Sequence, residues 1–360
     1  MATDDMGKYV CGITGEPPES LHLSGGFYAY RPTAFLLYFI RKEAIPVPPK
    51  ILVITGPTAS GKTWLAVELA KRYNGEVVSA DSMQIYRRMD IGTAKPTPGE
   101  MQGIPHHMID VADPEEAFSV ARYVDMASRC VDDILSRGRL PILAGGTGLY
   151  IDSLLSGRTF AAFDGASPLR AELEERYARE GGEALLKELS GVDPESAARL
   201  HPNDAKRIVR ALEVWLTTGK TITRHNEETK ALPLRYRALT LTLDFQRRED
   251  MWERINRRVD RMMAAGLAEE VRALLRSGVP ERCTAMQAIG YKEMAAALRA
   301  GGDTAAAAEE IKLRSRQYSK RQRTWFRRNP QARPIFWGPE PDFADVLQRS
   351  TAFLEEFGIS

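Results

Sequence analysis

Lys50-Ile51-Leu52-Val53-Ile54-Thr55-Gly56-Pro57-Thr58-Ala59-Ser60-Gly61-Lys62-Thr63 is the stretch on which the fold turns. The β-branched run 51–55 reads as a short strand buried on both faces, because a central parallel strand has no solvent side to alternate toward. It stops at Gly56. The pattern that follows, G-x-x-x-x-G-K-[ST], is that of a loop whose backbone N–H groups surround phosphate oxygens. Residues 64–73 continue in helical period, so the loop opens onto a helix N-terminus, where unpaired N–H groups and the helix dipole favour an anion. A glycine-rich turn with no ligand would match the pattern, but not the strand before it and the helix after it.

The same cycle repeats outward from this point. Residues 76–80 read as a strand, 118–136 as a helix and 140–144 as another strand, and such alternation implies a parallel sheet covered on both faces. Residues 167–216 are nearly all of helical period, with turn signals at Gly181-Gly182, Gly191-Val192-Asp193-Pro194 and His201-Pro202-Asn203-Asp204. A strand returns at 238–243, and a single long helix is expected over 249–277. The fold class is therefore α/β, a parallel sheet of the phosphate-loop NTPase type with helices on both faces and a small helical insertion. The expected limits are a core at 50–163 and 205–335, an insertion at 164–204, a disordered extension at 1–49 and a C-terminal tail at 336–360.

Composition narrows the functional class. The 360 residues are 43% hydrophobic, enough for one sizeable core and a smaller unit. With 50 basic and 48 acidic residues, bulk charge does not point to nucleic acid, and only its distribution can. Residues 312–328 (KLRSRQYSKRQRTWFRR) hold eight basic side chains and no acid, interleaved with Tyr318, Trp325 and Phe326, a pattern suited to single-stranded RNA although also to a solvated helix face. Cys11, Cys130 and Cys283 show no C-x-x-C spacing, which speaks against disulfides and structural zinc. The apolar run 35–40 is too short to span a membrane. A cytoplasmic protein without membrane attachment is expected.

The phosphate loop specifies phosphate, not ATP hydrolysis. Phosphate-loop NTPases carry a further acid at the end of another apolar strand. Here 140–144 runs into Gly145-Gly146-Thr147-Gly148 instead, and the strand-end carboxylate is Asp81, after 76–80. Asp81 suits proton abstraction from a nucleophile, although the same position would serve a helix N-cap. His106-His107 lacks a third ligand and reads as a structural turn.

Several motifs together resemble those of the tRNA dimethylallyltransferases. They are GPTASGKT at 56–63, SADSMQIY at 79–86, DIGTAKP at 90–96, PHH at 105–107, GGTGLY at 145–150, HPND at 201–204, MQAIGYK at 286–292 and KRQ at 320–322. They occur in order from residue 50 to residue 328.

The resemblance implies that dimethylallyl diphosphate donates its prenyl group to N6 of the adenosine just 3′ of the anticodon in tRNA, releasing diphosphate. Gly56, Pro57, Thr58, Ala59, Ser60, Gly61, Lys62 and Thr63 would hold the diphosphate, with Mg²⁺ on the Thr63 hydroxyl. Asp81 would be the general base, and Lys62, Thr63 and Arg248 would act on the leaving group. Contacts to the tRNA anticodon stem-loop are implied for Asp81, Ser82, Met83, Gln84 and Thr147, for Lys206, Arg207, Ile208, Val209 and Arg210, and for Gln287, Ala288, Ile289, Gly290, Tyr291 and Lys292. Arg321 and Arg323 on the basic segment are expected to add RNA affinity. A monomer is expected. The rival readings are a prenyltransferase of free adenine nucleotides, with the same chemistry, and a phosphate-loop small-molecule kinase, which would turn over ATP.

Overall fold

The computed structural model describes residues 47–157, 167–230 and 234–360. The expected extension falls almost wholly outside these residues, as does the expected boundary at 163–164. Within them the phosphate-loop strand β1 (Lys50–Thr55) lies near the middle of a six-stranded sheet of order β3-β2-β4-β1-β5-β6, in which all pairs are parallel. The other strands are β2 (Gly75–Ser79), β3 (His106–His107), β4 (Leu140–Ala144), β5 (Arg237–Phe245) and β6 (Arg333–Trp337). Ile51, Leu52, Val53 and Ile54 are fully buried, as a strand with no polar alternation requires.

Helices α1 (Lys62–Arg72), α2 (Pro98–Met101), α3 (Val120–Ser136) and α4 (Gly148–Leu155) follow the first strands. α3 starts where Ser119 accepts the Arg122 N–H, and its apolar stripe Tyr123, Ala127, Val131 and Ile134 covers one face of the sheet. Leu65, Ala66 and Leu69 of α1 belong to the core on the opposite face.

Five helices form the insertion: α5 (Pro168–Glu180), α6 (Gly182–Val192), α7 (Pro194–Ala197), α8 (Ala205–Thr218) and α9 (Ile222–Lys230). They share a core of Leu173, Leu185, Leu189, Ile208 and Leu212, against which Ile222 packs. The helical unit therefore runs past the expected limit at 204, because α8 supplies one wall of its core.

α10 (Arg248–Ala264) and α11 (Leu267–Arg276) replace the single helix expected over 249–277. The break is Gly266, at φ +96°, a conformation that ends a helix and that glycine adopts without steric cost. A 3-10 turn (Ala285–Gln287), α12 (Tyr291–Arg299), α13 (Thr304–Phe326) and α14 (Phe343–Phe357) complete the chain.

The expected tail at 336–360 is part of the core. β6 pairs with β5, Trp337 is 1% exposed, and Val346 and Leu354 of α14 are buried against the sheet. Pro334 hid this strand, but an edge strand tolerates proline because only one of its sides is paired. His106-His107 is an edge strand and not a turn, with His107 Nε2 2.7 Å from the Glu76 carboxylate.

Candidate active site

Gly56 and Gly61 take positive φ values of +147° and +83°, so the chain can leave β1, curl and enter α1 within six residues. A Cβ on Gly56 would overlap the Leu243 carbonyl of β5. The loop rests on Trp337, whose indole N–H donates to the Ser60 carbonyl at 2.8 Å. The Ser60 hydroxyl is buried and has no hydrogen-bond partner among the described residues.

Lys62 folds back over the loop, its Nζ donating to the carbonyls of Gly56 (3.0 Å) and Pro57 (2.8 Å). Burial, with the Arg258 charge added, lowers its pKa to about 7, while Asp81 opposes the shift. The ammonium is thus desolvated and held by carbonyls in the place where an anion would bind.

Above the loop lies a cavity of about 850 Å³, lined by residues 58–63, Asp81, Arg254, Arg257, Arg258, Arg261, Tyr318 and Gln322 among others. The four arginines form one face of α10. A second cavity of about 280 Å³ adjoins it, with the apolar wall Ile255, Val259, Met262, Ile289 and Ile311 and the polar Ser82, Gln287 and Arg321. Thr58, Asp81, Arg258 and Tyr318 line both cavities. A cationic chamber and a mainly apolar one therefore meet at a carboxylate.

Asp81 ends β2 as the sequence indicated. No helix follows it, only a turn at 82–85, in which the Met83 N–H donates to Asp81 Oδ1 at 2.9 Å. One oxygen thus caps the turn, and the carboxylate still lines both cavities. Its charge favours the protonated forms of Lys62 and Arg258 against their burial, and it adds to the burial that lifts the Tyr318 hydroxyl to about 12.

The remaining sequence candidates divide. Thr63 and Gln84 line the first cavity, and Ser82, Met83, Gln287, Ala288, Ile289 and Arg321 the second. Thr147 supports the Asp81 turn by accepting the Ser82 N–H at 3.0 Å. Thr58 departs from expectation, because its N–H is already donated to Gln322 Oε1 at 2.9 Å and not left for phosphate.

Lys206 and Arg207 are exposed on α8, Arg210 bonds Glu213, and Ile208 and Val209 are buried in the helical unit's core, which corrects their assignment to RNA contact. Tyr291 is likewise fully buried, its hydroxyl donating to Glu270 at 2.5 Å and its ring against Gly92. Gly290 precedes it at φ +102° as the start of α12, and Lys292 is exposed. Arg323 is 18% exposed and ion-paired with Asp244 at 2.8 Å, so its charge is spent on holding α13 to β5.

Arg248 also moves. Its side chain is 61% exposed and its guanidinium lies over the Trp252 ring, outside the residues lining either cavity. Arg254, Arg257, Arg258 and Arg261 occupy the place expected for it. Their spacing of three, four and seven residues puts them on one helical face, a signal present in the sequence but overlooked beside the apolar stripe. Tyr318, Gln322 and Trp337 were also missed as site residues. Only the fold brings α13 and β6 to the loop.

The sequence profile of the IPP transferase family matches residues 84–329. A protein from Pelobacter propionicus described as tRNA dimethylallyltransferase 1 is 47% identical over 311 residues, covering 86% of this chain and 99% of its own. The tRNA dimethylallyltransferase of Geobacter sulfurreducens is 48% identical over 310 residues, 86% of this chain and 97% of the relative. Among solved structures, the tRNA isopentenylpyrophosphate transferase of Bacillus halodurans has a TM-score of 0.63 at 41% identity, covering 85% of this chain and 97% of that one. A eukaryotic dimethylallyltransferase acting on tRNA reaches 0.74 at 29% identity, over 86% of this chain and 79% of the other.

Proposed function

The chain belongs to the tRNA dimethylallyltransferase family, and from that premise we propose that it transfers the prenyl group of dimethylallyl diphosphate to N6 of the adenosine just 3′ of the anticodon. The meeting of the two cavities at Asp81 carries this reading. The diphosphate lies in the phosphate loop, under the arginine face of α10. Its allyl carbon reaches the junction, and the adenine, flipped out of its loop because a stacked base cannot enter, comes through the second cavity. The C1–O bond breaks with its electron pair going to diphosphate, the C1–N6 bond forms, and the N6 proton passes to the Asp81 carboxylate.

The residues present serve each part of that step. Charge growing on the leaving group faces loop N–H groups, Lys62 and Arg258, all fixed before the reaction begins. An aromatic amine is a weak nucleophile and needs a positioned base, which Asp81 supplies at the junction. Arg321, exposed on α13 and lining the second cavity, is the proposed contact to an RNA phosphate.

Mg²⁺ is the proposed cofactor. Thr63 and Asp81 line the diphosphate cavity and offer oxygen donors. Oxygen donors of this kind suit a hard cation, and these residues would hold Mg²⁺. Bound there, it would neutralise charge on the departing diphosphate.

A monomer is proposed. No helix among the described residues is long and apolar enough to cross a membrane, and a cytoplasmic location is proposed. The test is mass spectrometry of nucleosides from tRNA incubated with the protein, dimethylallyl diphosphate and Mg²⁺. Prenylated adenosine supports the reading. Unmodified tRNA together with prenylated free AMP or steady ATP turnover would replace it.

A further inference from the structure

β4 runs into Gly145-Gly146-Thr147-Gly148, the place where a phosphate-loop NTPase carries the acid that helps hold its metal. α13 crosses this place. A Cβ on Gly146 would overlap Nε2 of Gln322, one on Gly148 would overlap the Trp325 indole, and one on Gly145 would overlap the Ala80 carbonyl. Two of these glycines therefore form a seat for α13.

Gln322 is 5% exposed and uses both ends of its amide. Nε2 donates to the Gly146 carbonyl at 3.0 Å, and Oε1 accepts the Thr58 N–H at 2.9 Å. The helix that carries it is fixed on either side, by Arg323 on Asp244 and by the Trp325 indole N–H donating to Asp152 at 2.9 Å. One buried amide thus ties the phosphate loop to the loop after β4, at one of the four residues where the cavities meet.

We propose that Gln322 is a positioning residue for the prenyl transfer proposed above, on which this inference rests. It holds Thr58 at the junction and fills with a neutral amide the place of a hydrolase's acid. A carboxylate there would repel diphosphate and accept a proton from water, whereas a primary amide does neither. Because both ends of the amide are held by backbone groups of the protein itself, the clamp orders the loop by internal contacts, which lowers the ordering cost of binding diphosphate. A side chain that slips by about 1 Å can cost about 10²-fold in rate, which sets the scale of the effect.

A double-mutant cycle on the full chain tests this. Gln322→Ala removes the clamp, and Gly146→Ala pushes the amide aside while keeping it. Turnover with tRNA and dimethylallyl diphosphate, KM for tRNA, pyrophosphate affinity by calorimetry and the melting temperature are measured for wild type, both single variants and the double. Each single variant is expected to lower kcat by about 10- to 100-fold and to weaken pyrophosphate by about tenfold, with KM for tRNA unchanged. The double should be no worse than the poorer single, because both disable one device. Effects that multiply, or a lowered melting temperature with kcat and pyrophosphate affinity intact, would overturn the inference. If wild type makes no prenylated tRNA, the functional reading fails and the pyrophosphate arm alone decides whether Gln322 preorganises the loop.

Discussion

Pyrophosphate entering the phosphate loop should carry a proton in with it. Lys62 in the ligand-free site has a pKa of about 7, lowered chiefly by burial and then by Arg258. A diphosphate beside the ammonium favours its charged form and returns the pKa toward the ordinary value of about 10.4. At pH 8, about one tenth of Lys62 is protonated before binding and nearly all of it afterwards, an uptake of about 0.9 proton. At pH 6 the uptake falls to about 0.1. The liganded state holds more protons, so this group strengthens binding as pH falls from about 10 to about 7 and adds nothing further below that. Calorimetry of pyrophosphate with Mg²⁺ at pH 8, in buffers of different ionisation enthalpy, reads the proton number. Lys62→Met serves as the reference that removes the ligand's own ionisation. Equal proton numbers for the two proteins would refute the reasoning.

Two further predictions separate structural from functional side chains. Arg323→Gln removes the 2.8 Å partner of the buried Asp244, leaving it the Phe245 N–H and the more distant Arg327 at 3.6 Å, and should cost about 1–3 kcal/mol of stability, seen as a lower melting temperature, with the salt dependence of tRNA binding unchanged. Arg321→Gln should leave stability alone, raise KM for tRNA and reduce the salt slope by about one phosphate contact. Reversed results would mean that the two arginines have been assigned the wrong way round. Gly145→Ala would force a methyl into the Ala80 carbonyl, displacing the backbone that carries Asp81. It should destabilise the protein by about 1–3 kcal/mol and lower kcat together, and an alanine variant with wild-type melting and turnover would contradict that packing.

The parts legible in the sequence are those fixed by local physics. β1, the loop and α1 follow from a buried apolar run, two glycines and a helix start, and Asp81 follows from its place at a strand end. The unread parts depend on contacts distant in sequence. Nothing near Gln322 indicates that its amide lies between Thr58 and Gly146, respectively 264 and 176 residues away. β6 was masked by Pro334 and by its short length, although Trp337 is the support beneath the loop. Arg323 and Tyr291 mislead in the opposite direction. Their residue types suit RNA, but a carboxylate partner beside each one, the buried Asp244 and the partly buried Glu270, turns it inward.

Asp81→Asn tests the central claim most directly, because it keeps the shape of the side chain and the acceptor for the Met83 N–H while removing the base. Single-turnover prenylation of tRNA should slow by about 10²- to 10⁴-fold, with tRNA and pyrophosphate still bound and the melting temperature near that of wild type. A rate close to wild type would show that Asp81 merely caps its turn, and the account of proton transfer at the junction would fall.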